Sequence, residues 1–415
     1  LKNEDNRKSP WNNIVLCGPP LSGNMGGPAL VSGGLSALRY FMPDAEYSLV
    51  SLQPEKDRPV SEKYGLNIAG TKLWQMPLSF IRCLLWAVFN KLGIDIKRII
   101  DNDPMLRAYR GSDLIINMTG ISFHDSFGKL VILKHVLWLL PAFLLKKKVV
   151  IYSQTLGPFV SRFNKFMAFF CLNRVELLIV RGRLSRDSLK KLGINRPIYV
   201  KPDVGFLLVP VSEKKAVQLL GNSNAKDNSL LVGVTVNRAF ELVFKKRSAD
   251  YLKNMARLFD HICQNHSARL VFIPHTEEDK IIAEKISTLM ESKDKKNILA
   301  EDYSAEELKG IIGLCDVFIG SRFHSIVASL SLSVPTLAVG WNHKYSELMS
   351  LFGQDQYLFD FNSEFRYECL KLKIDKLIKN REEIKAELRD KAESVRQSAL
   401  SSALLIKNIK NIQYD

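Results

Sequence analysis

Short, nearly continuous apolar runs alternate with longer stretches whose apolar residues recur at helical spacing, and this alternation happens twice along the 415 residues. In the first half the pattern predicts strands at 13–17, 47–52, 113–117, 149–153, 176–180 and 197–200, with helices at 28–41, 127–145, 162–172 and 184–192 between them. In the second half it predicts strands at 230–236, 270–273, 297–299, 317–319 and 336–339, and helices at 249–265, 279–290, 305–314 and 324–332. A strand apolar on both faces must be covered on both, so strand–helix alternation of this kind predicts an α/β fold with parallel sheets between helical layers. The periodicity fails around Pro210, a short charged helix and the polar run 221–228. The chain is therefore divided into a first domain at 1–210, a linker at 211–228 and a second domain at 229–373, with a helical segment at 374–415. In that last segment Leu377, Ile378, Ile384, Leu388, Ala392, Val395 and Ala399 keep a helical period that Arg381 interrupts, which gives one long amphipathic helix or two consecutive ones. With two similar α/β halves, a cleft between them is the expected site.

The length exceeds one compact core and suits two domains. A formal net charge of +16 and a pI near 9.4 favour an acidic partner: a phosphorylated substrate, an anionic membrane surface or nucleic acid. Lysines are spread along the chain with no RNA-recognition or helix-turn-helix signature, so nucleic acid is not expected. Six well-separated cysteines without a Cys-x-x-Cys pair predict reduced thiols and no zinc site. The charged opening at 1–10 lacks an apolar leader core, and the window 130–145 is broken by Lys134, His135 and Pro141, which makes it a core helix and not a membrane span. The expected location is cytoplasmic. Trp74, Trp86 and Trp138, near Lys91 and 146–148, add the prospect of peripheral contact with the inner face of an anionic membrane.

The most informative segment is 316–325, where an apolar strand ends in Gly320-Ser321 and a helix opens with Arg322, His324 and Ser325. A helix start favours anions, Arg322 brings a planar fork matched to oxyanions, and His324 can exchange a proton near neutral pH. The plainer reading makes Arg322 a surface ion-pair partner and His324 a residue packed on Phe323 or Tyr345. Other chemistry-bearing groups follow strands in both halves: Gly23 and Asn24 in the glycine-rich loop 18–29, His124 and Asp125, Gln154, Arg181, Asp203, His275 and Lys344. The glycine-rich loop has neither dinucleotide-binding nor P-loop spacing, and its glycines equally serve a turn. His124 and Asp125 are catalytic candidates or capping groups.

In order along the chain, Gly23-Asn-Met-Gly26, Thr119-Gly120, Gln154-Thr-Leu-Gly-Pro158, Val180-Arg-Gly-Arg-Leu-Ser185, Pro202-Asp-Val-Gly-Phe206, Gly320-Ser-Arg-Phe-His-Ser325 and Asn342-His-Lys344 resemble the polysaccharide pyruvyltransferases. The resemblance implies two Rossmann-like domains facing a central cleft in a GT-B-like architecture, with the acceptor on the first domain and the donor on the second. It also implies transfer of the carboxyvinyl unit of phosphoenolpyruvate to a sugar or lipid-linked saccharide as a pyruvate ketal, with phosphoenolpyruvate as co-substrate and neither cofactor nor metal. Arg181 and Arg322 would hold the donor's anionic groups and His324 would transfer a proton, with Asp125, His124 and Asp203 as candidate bases. Three positions depart from the family pattern, all in the first half: Gly27-Pro28 replaces an acidic pair, Met118 breaks a glycine triplet and Gly182 replaces an acid. Two alternatives remain. One is a glycosyltransferase of the same architecture that places Arg322 and Lys344 on a nucleotide-sugar diphosphate and Glu307 or Glu347 on the ribose; the other is a non-enzymatic binder of nucleic acid or anionic lipid.

Overall fold

The computed structural model describes residues 9–23, 25–125, 128–221, 229–238, 240, 248–299, 303–360 and 367–411. Two compact units emerge, one of residues 1–23, 30–207 and 397–415, the other of residues 24–29 and 208–396. Each is built on its own parallel sheet.

In the first unit the chain runs β1 (Asn13–Cys17), α1 (Gly26–Phe41), β2 (Glu46–Ser51), α2 (Pro54–Lys63), β3 (Asn67–Gly70), α3 (Met76–Lys91), α4 (Lys97–Asp101), α5 (Pro104–Gly111), β4 (Leu114–Asn117), β5 (Ile121–Ser122), α6 (Lys129–Leu144), β6 (Lys148–Leu156), α7 (Arg162–Leu172), β7 (Leu177–Val180), α8 (Arg183–Lys191) and β8 (Ile198–Val200). The strand order is β3-β2-β1-β4-β6-β7-β8, with β5 pairing the far end of β6. Every residue of β4 and β7 is buried, which is why these strands, apart from Asn117 at the end of β4, read as apolar runs. Trp138 on α6 is 1% exposed, and α6 is the core helix that its composition predicts.

The second unit continues with α9 (Glu213–Leu220), β9 (Leu230–Thr235), α10 (Ser248–Asn265), β10 (Ala268–Phe272), α11 (Glu277–Leu289), β11 (Lys296–Ile298), α12 (Ala305–Gly313), β12 (Val317–Gly320), α13 (Phe323–Ser331), β13 (Thr336–Gly340), α14 (His343–Leu351), β14 (Leu358–Asp360), α15 (Tyr367–Lys379) and the start of α16 (Arg381–Lys407), whose residues from 397 on belong to the first unit. Its sheet has the order β11-β10-β9-β12-β13-β14, all parallel. The tail is two helices, and Arg381 opens the second of them. All seven apolar positions expected to face a core there are buried. The short charged helix expected within the linker is α9, capped by the Ser212 hydroxyl, which accepts from the Lys215 N–H; residues 222–228 lie outside the described residues.

Cys17, Cys83, Cys171, Cys263 and Cys315 are buried free thiols, and Cys369 is an exposed one. Burial pushes the first three up to about 12, so they behave as small apolar core residues. Among the described residues no helix is long and apolar enough to cross a membrane.

Candidate functional site

In the second unit the strand β12 ends at Gly320, where an added Cβ would lie 2.5 Å from Ile326 Cγ1, so the following turn packs directly on the first turn of α13. A relay of hydrogen bonds fixes this corner. The Ser321 N–H donates to the Thr235 hydroxyl (3.2 Å), that hydroxyl lies 2.8 Å from Ser325 Oγ, and the Ser325 hydroxyl donates to the Arg322 carbonyl (2.7 Å). The Ser321 carbonyl accepts from the Tyr345 hydroxyl (3.0 Å) and the Asn237 amide (3.1 Å). Ser325 is fully buried and holds the corner, so its expected contact with a substrate would have to come through the backbone it positions.

Arg322 stands at the N-cap of α13 and makes no side-chain cap there. Its guanidinium forms a two-point pair with Asp279 instead, Nε to Oδ2 at 2.8 Å and Nη2 to Oδ1 at 2.6 Å, and Nη2 lies 3.4 Å from the Thr276 hydroxyl. The Asp279 side chain is completely buried, whereas that of Arg322 keeps 22% exposure. The pair therefore anchors the fork from behind and leaves the Nη1 edge uncommitted to Asp279. His275 is 7% exposed, and burial followed by the charge of Arg322 pushes it down to about 3. It is a neutral imidazole whose Nε2 is buried with no hydrogen-bond partner. His324 is half-buried, edge-on to Phe323 with ring centroids 5.4 Å apart. Lys344 holds its ammonium 5.0 Å from the Phe323 ring centroid and 5.4 Å from that of Tyr345. The structure thus gathers His275, Arg322, His324, Ser325 and Lys344 around one strand–helix corner and adds Asp279, Thr276, Asn237 and Tyr345, which sequence reasoning missed. Thr276 and Asp279 have the spacing of a helix cap, and nothing in that pattern points to an arginine 43 residues away.

In the first unit Arg181 directly follows β7 and is turned inward. Its Nε lies 2.8 Å from Asp203 Oδ2 and donates to the Ser153 carbonyl (2.6 Å), with side-chain exposures of 7% for the arginine and 2% for the aspartate. Burial pulls the Arg181 pKa below its usual value while Asp203 opposes that shift. The other oxygen of Asp203 accepts from the Gly205 N–H (2.6 Å), so this carboxylate, expected as a base or substrate contact, is committed to the fold at both oxygens. Gly120 makes room for the pair, since a Cβ there would sit 3.3 Å from Arg181 Nη2. Gln154 is also fully buried: its amide donates to the carbonyl and side-chain oxygen of Asn117 (2.7 Å each) and accepts from Ser122 (2.6 Å), tying β4, β5 and β6 together.

Asp125 accepts from the N–H groups of Val160 (2.6 Å) and Ser161 (3.1 Å) and from Asn164 (3.0 Å), so it caps the approach to α7. Burial raises its pKa, and these bonds outweigh burial and lower it, which suits a capping carboxylate and opposes a general base. His124 is 6% exposed. Gly23 is exposed at a φ of +86°, a left-handed conformation natural to glycine, and Asn24 lies outside the described residues. The glycine loop is held by Asp57, a fully buried residue of α2 that accepts from the Leu21 N–H (3.1 Å) and from the hydroxyls of Ser22 (2.5 Å) and Ser51 (2.6 Å).

A family model described as polysaccharide pyruvyl transferase matches residues 24–343. The chain belongs to the polysaccharide pyruvyl transferase family. The amylovoran biosynthesis protein AmsJ of Erwinia amylovora is 23% identical over 408 residues, which cover 90% of this chain and 94% of AmsJ. Among solved structures, the UDP-GlcNAc 2-epimerase from Neisseria meningitidis aligns with a TM-score of 0.63 at 9% identity, covering 97% of this chain and 100% of the other. HepE from Anabaena aligns with a TM-score of 0.55 at 14% identity, covering 96% of each chain. These structural likenesses concern the fold, which is a GT-B-like pair of parallel-sheet α/β domains with a long C-terminal helix.

Within this pyruvyl transferase family member, Glu307 closes a capping box with Ser304 at the start of α12, Ser304 N–H to Glu307 Oε2 at 2.9 Å, which removes it as a free carboxylate for a ribose. Among the described residues one group has metal-ligand chemistry: the Nε2 atoms of His261 and His266 both lie 2.7 Å from Asp375 Oδ1. Lys371 places its ammonium 3.2 Å from Asp375 Oδ2, so the carboxylate is already served by the chain's own donors and joins α10 to α15. A hollow of about 510 Å³ beside β3, bordered by Arg58, Lys72 and Arg107, includes none of the expected site residues.

Proposed function

We propose that the protein transfers the carboxyvinyl unit of phosphoenolpyruvate to two hydroxyls of a saccharide, forming a pyruvate ketal and releasing phosphate. The reading rests on the family match together with one observation, the Arg322 fork held from behind by Asp279 at the start of a helix that lacks a side-chain cap. A fork fixed in this way offers its remaining edge and the first N–H groups of α13 to a compact oxyanion. Lys344 adds charge at the same corner.

Ketal formation needs one proton delivered to the methylene carbon and one removed from each hydroxyl. Protonation creates an electrophilic carbon that the first hydroxyl attacks; phosphate then leaves, and the second hydroxyl closes the ring. The delivered proton ends on the new methyl group; of the two removed from the hydroxyls, one restores the acid and the other leaves on phosphate. His324 is the candidate acid, since it follows Arg322 by two residues and retains partial exposure. Buried, neutral His275 is better suited to accept or donate a single hydrogen bond than to carry charge. The acceptor is a sugar or lipid-linked saccharide of a surface polysaccharide, in keeping with the relative's role in amylovoran biosynthesis.

The test is incubation with phosphoenolpyruvate, and in parallel with nucleotide sugars, against a panel of saccharides, reading inorganic phosphate together with the mass of the sugar. Phosphate release coupled to a mass gain from phosphoenolpyruvate supports the reading, and transfer from a nucleotide sugar alone overturns it. With His324→Ala, turnover is expected to fall by about 10²- to 10⁴-fold while donor affinity changes little. If titration calorimetry shows lost affinity and the rate at saturation is unchanged, His324 is a binding residue and not the acid.

A further inference from the structure

We propose that one helical face of the first unit docks onto an anionic phospholipid bilayer. The helix α3 is apolar nearly all the way round. Met76, Ser79 and Cys83 are buried along one seam, while Leu78 (40%), Ile81 (50%), Leu85 (43%) and Val88 (49%) remain exposed along the other. In water a helix normally turns such a stripe inward, and a contiguous exposed apolar surface marks an interaction site. The helix α3 packs on α6, which packs on α7, and these two helices carry the exposed apolar residues Leu130 (83%) and Phe166 (64%).

Charge selects the occupant. The helices α3, α6 and α7 contain no aspartate or glutamate, yet carry Arg82, Lys91, Lys129, Lys134, Arg162 and Lys165. Arg82 is paired with Asp103 from outside the layer, and burial draws the pKa of Lys134 down. Lys91, Lys129, Arg162 and Lys165 are exposed among the apolar residues. Apolar side chains beside exposed cations, on helices that themselves carry no carboxylate, match an interface of acyl chains and anionic headgroups. A second copy meeting this face symmetrically would set the cations of these helices against each other, with no acid on the helices themselves to pair them. The three tryptophans first associated with membrane contact do not form this surface together: Trp138 is 1% exposed and Trp86 packs against the core, whereas Trp74, just before α3, is 70% exposed.

The experiment is flotation of the full chain with phosphatidylcholine vesicles with and without phosphatidylglycerol, and it requires no activity. The protein is expected to float with the anionic vesicles, to do so roughly tenfold less with pure phosphatidylcholine, and to be released as salt rises. Ile81→Ser/Leu85→Ser/Val88→Ser should lose most of the bound fraction while keeping its circular dichroism. In the unaltered protein, brominated anionic lipid should quench the fluorescence that Trp74→Phe removes, an observation that does not depend on how the triple variant folds. Absence of flotation with anionic vesicles, or flotation with no quenching of Trp74, overturns the proposal. So does a dimer in light scattering that the triple substitution converts to monomer without any vesicle binding.

Discussion

Arg322→Ala is expected to be more damaging to stability than Asp279→Ala, although the two substitutions break the same pair. Asp279 has no solvent exposure, so without Arg322 its carboxylate is stranded in the interior, held among the described residues by the Arg238 N–H at 3.2 Å. Leaving a buried charge unpaired costs about 3–5 kcal/mol. Arg322 keeps 22% exposure, and without Asp279 it can swing its fork toward water, which brings the loss nearer to that of a charge-assisted hydrogen bond, about 1.5–3 kcal/mol. Urea denaturation of both single variants and of the double variant measures this asymmetry, with the double expected to be less destabilised than the sum of the singles. The functional consequence runs the other way in kind. Asp279→Asn keeps the shape but gives up the ion pair, so it should free the fork and raise the KM for the anionic donor at least severalfold while leaving the fold intact by circular dichroism. Unchanged donor affinity in that variant would show that the orientation of Arg322 does not matter to binding.

The Arg181–Asp203 pair should behave differently, because both partners are inside. With exposures of 7% and 2%, neither side chain has an easy route to solvent, and either Arg181→Ala or Asp203→Ala is expected to cost about 3–5 kcal/mol. Asp203→Ala also removes the acceptor of the Gly205 N–H, and Arg181→Ala removes the donor to the Ser153 carbonyl. The double variant Arg181→Met/Asp203→Leu removes both charges together and should recover a substantial part of the loss. Thermal melts of the three variants test this. Donor binding then separates two roles for Arg181. If the double variant refolds to near-normal stability and still binds the donor as well as the unaltered chain, Arg181 serves the architecture alone; if affinity falls by about 10- to 100-fold, its charge also acts on the ligand.

Much of the fold was legible because parallel strands announce themselves. The runs at 13–17 and 317–319 reappear as β1 and β12 almost residue for residue, since a strand buried on both faces is mostly apolar. The edge strands β3 and β14, each with an exposed end residue, escaped notice, whereas the edge strands β8 and β11, half-buried throughout, did not. The helix α3 escaped for the opposite reason: apolar on nearly every side, it has no polar face to set a helical period.

The sequence by itself determined the two-fold repetition of strand and helix, the family through its ordered motifs, and the corner where Arg322, His324 and Lys344 fall close together along the chain. Tertiary structure alone decided which charges and buried polar groups meet: Arg322 with Asp279 from another helix start, Arg181 with Asp203 beyond the neighbouring strand, and Gln154 with Asn117 and Ser122. The physical reason is that local spacing sets the period of an element and the face it buries, whereas an ion pair depends on which strand ends the sheet order brings side by side. In parallel sheets those ends come from distant parts of the chain.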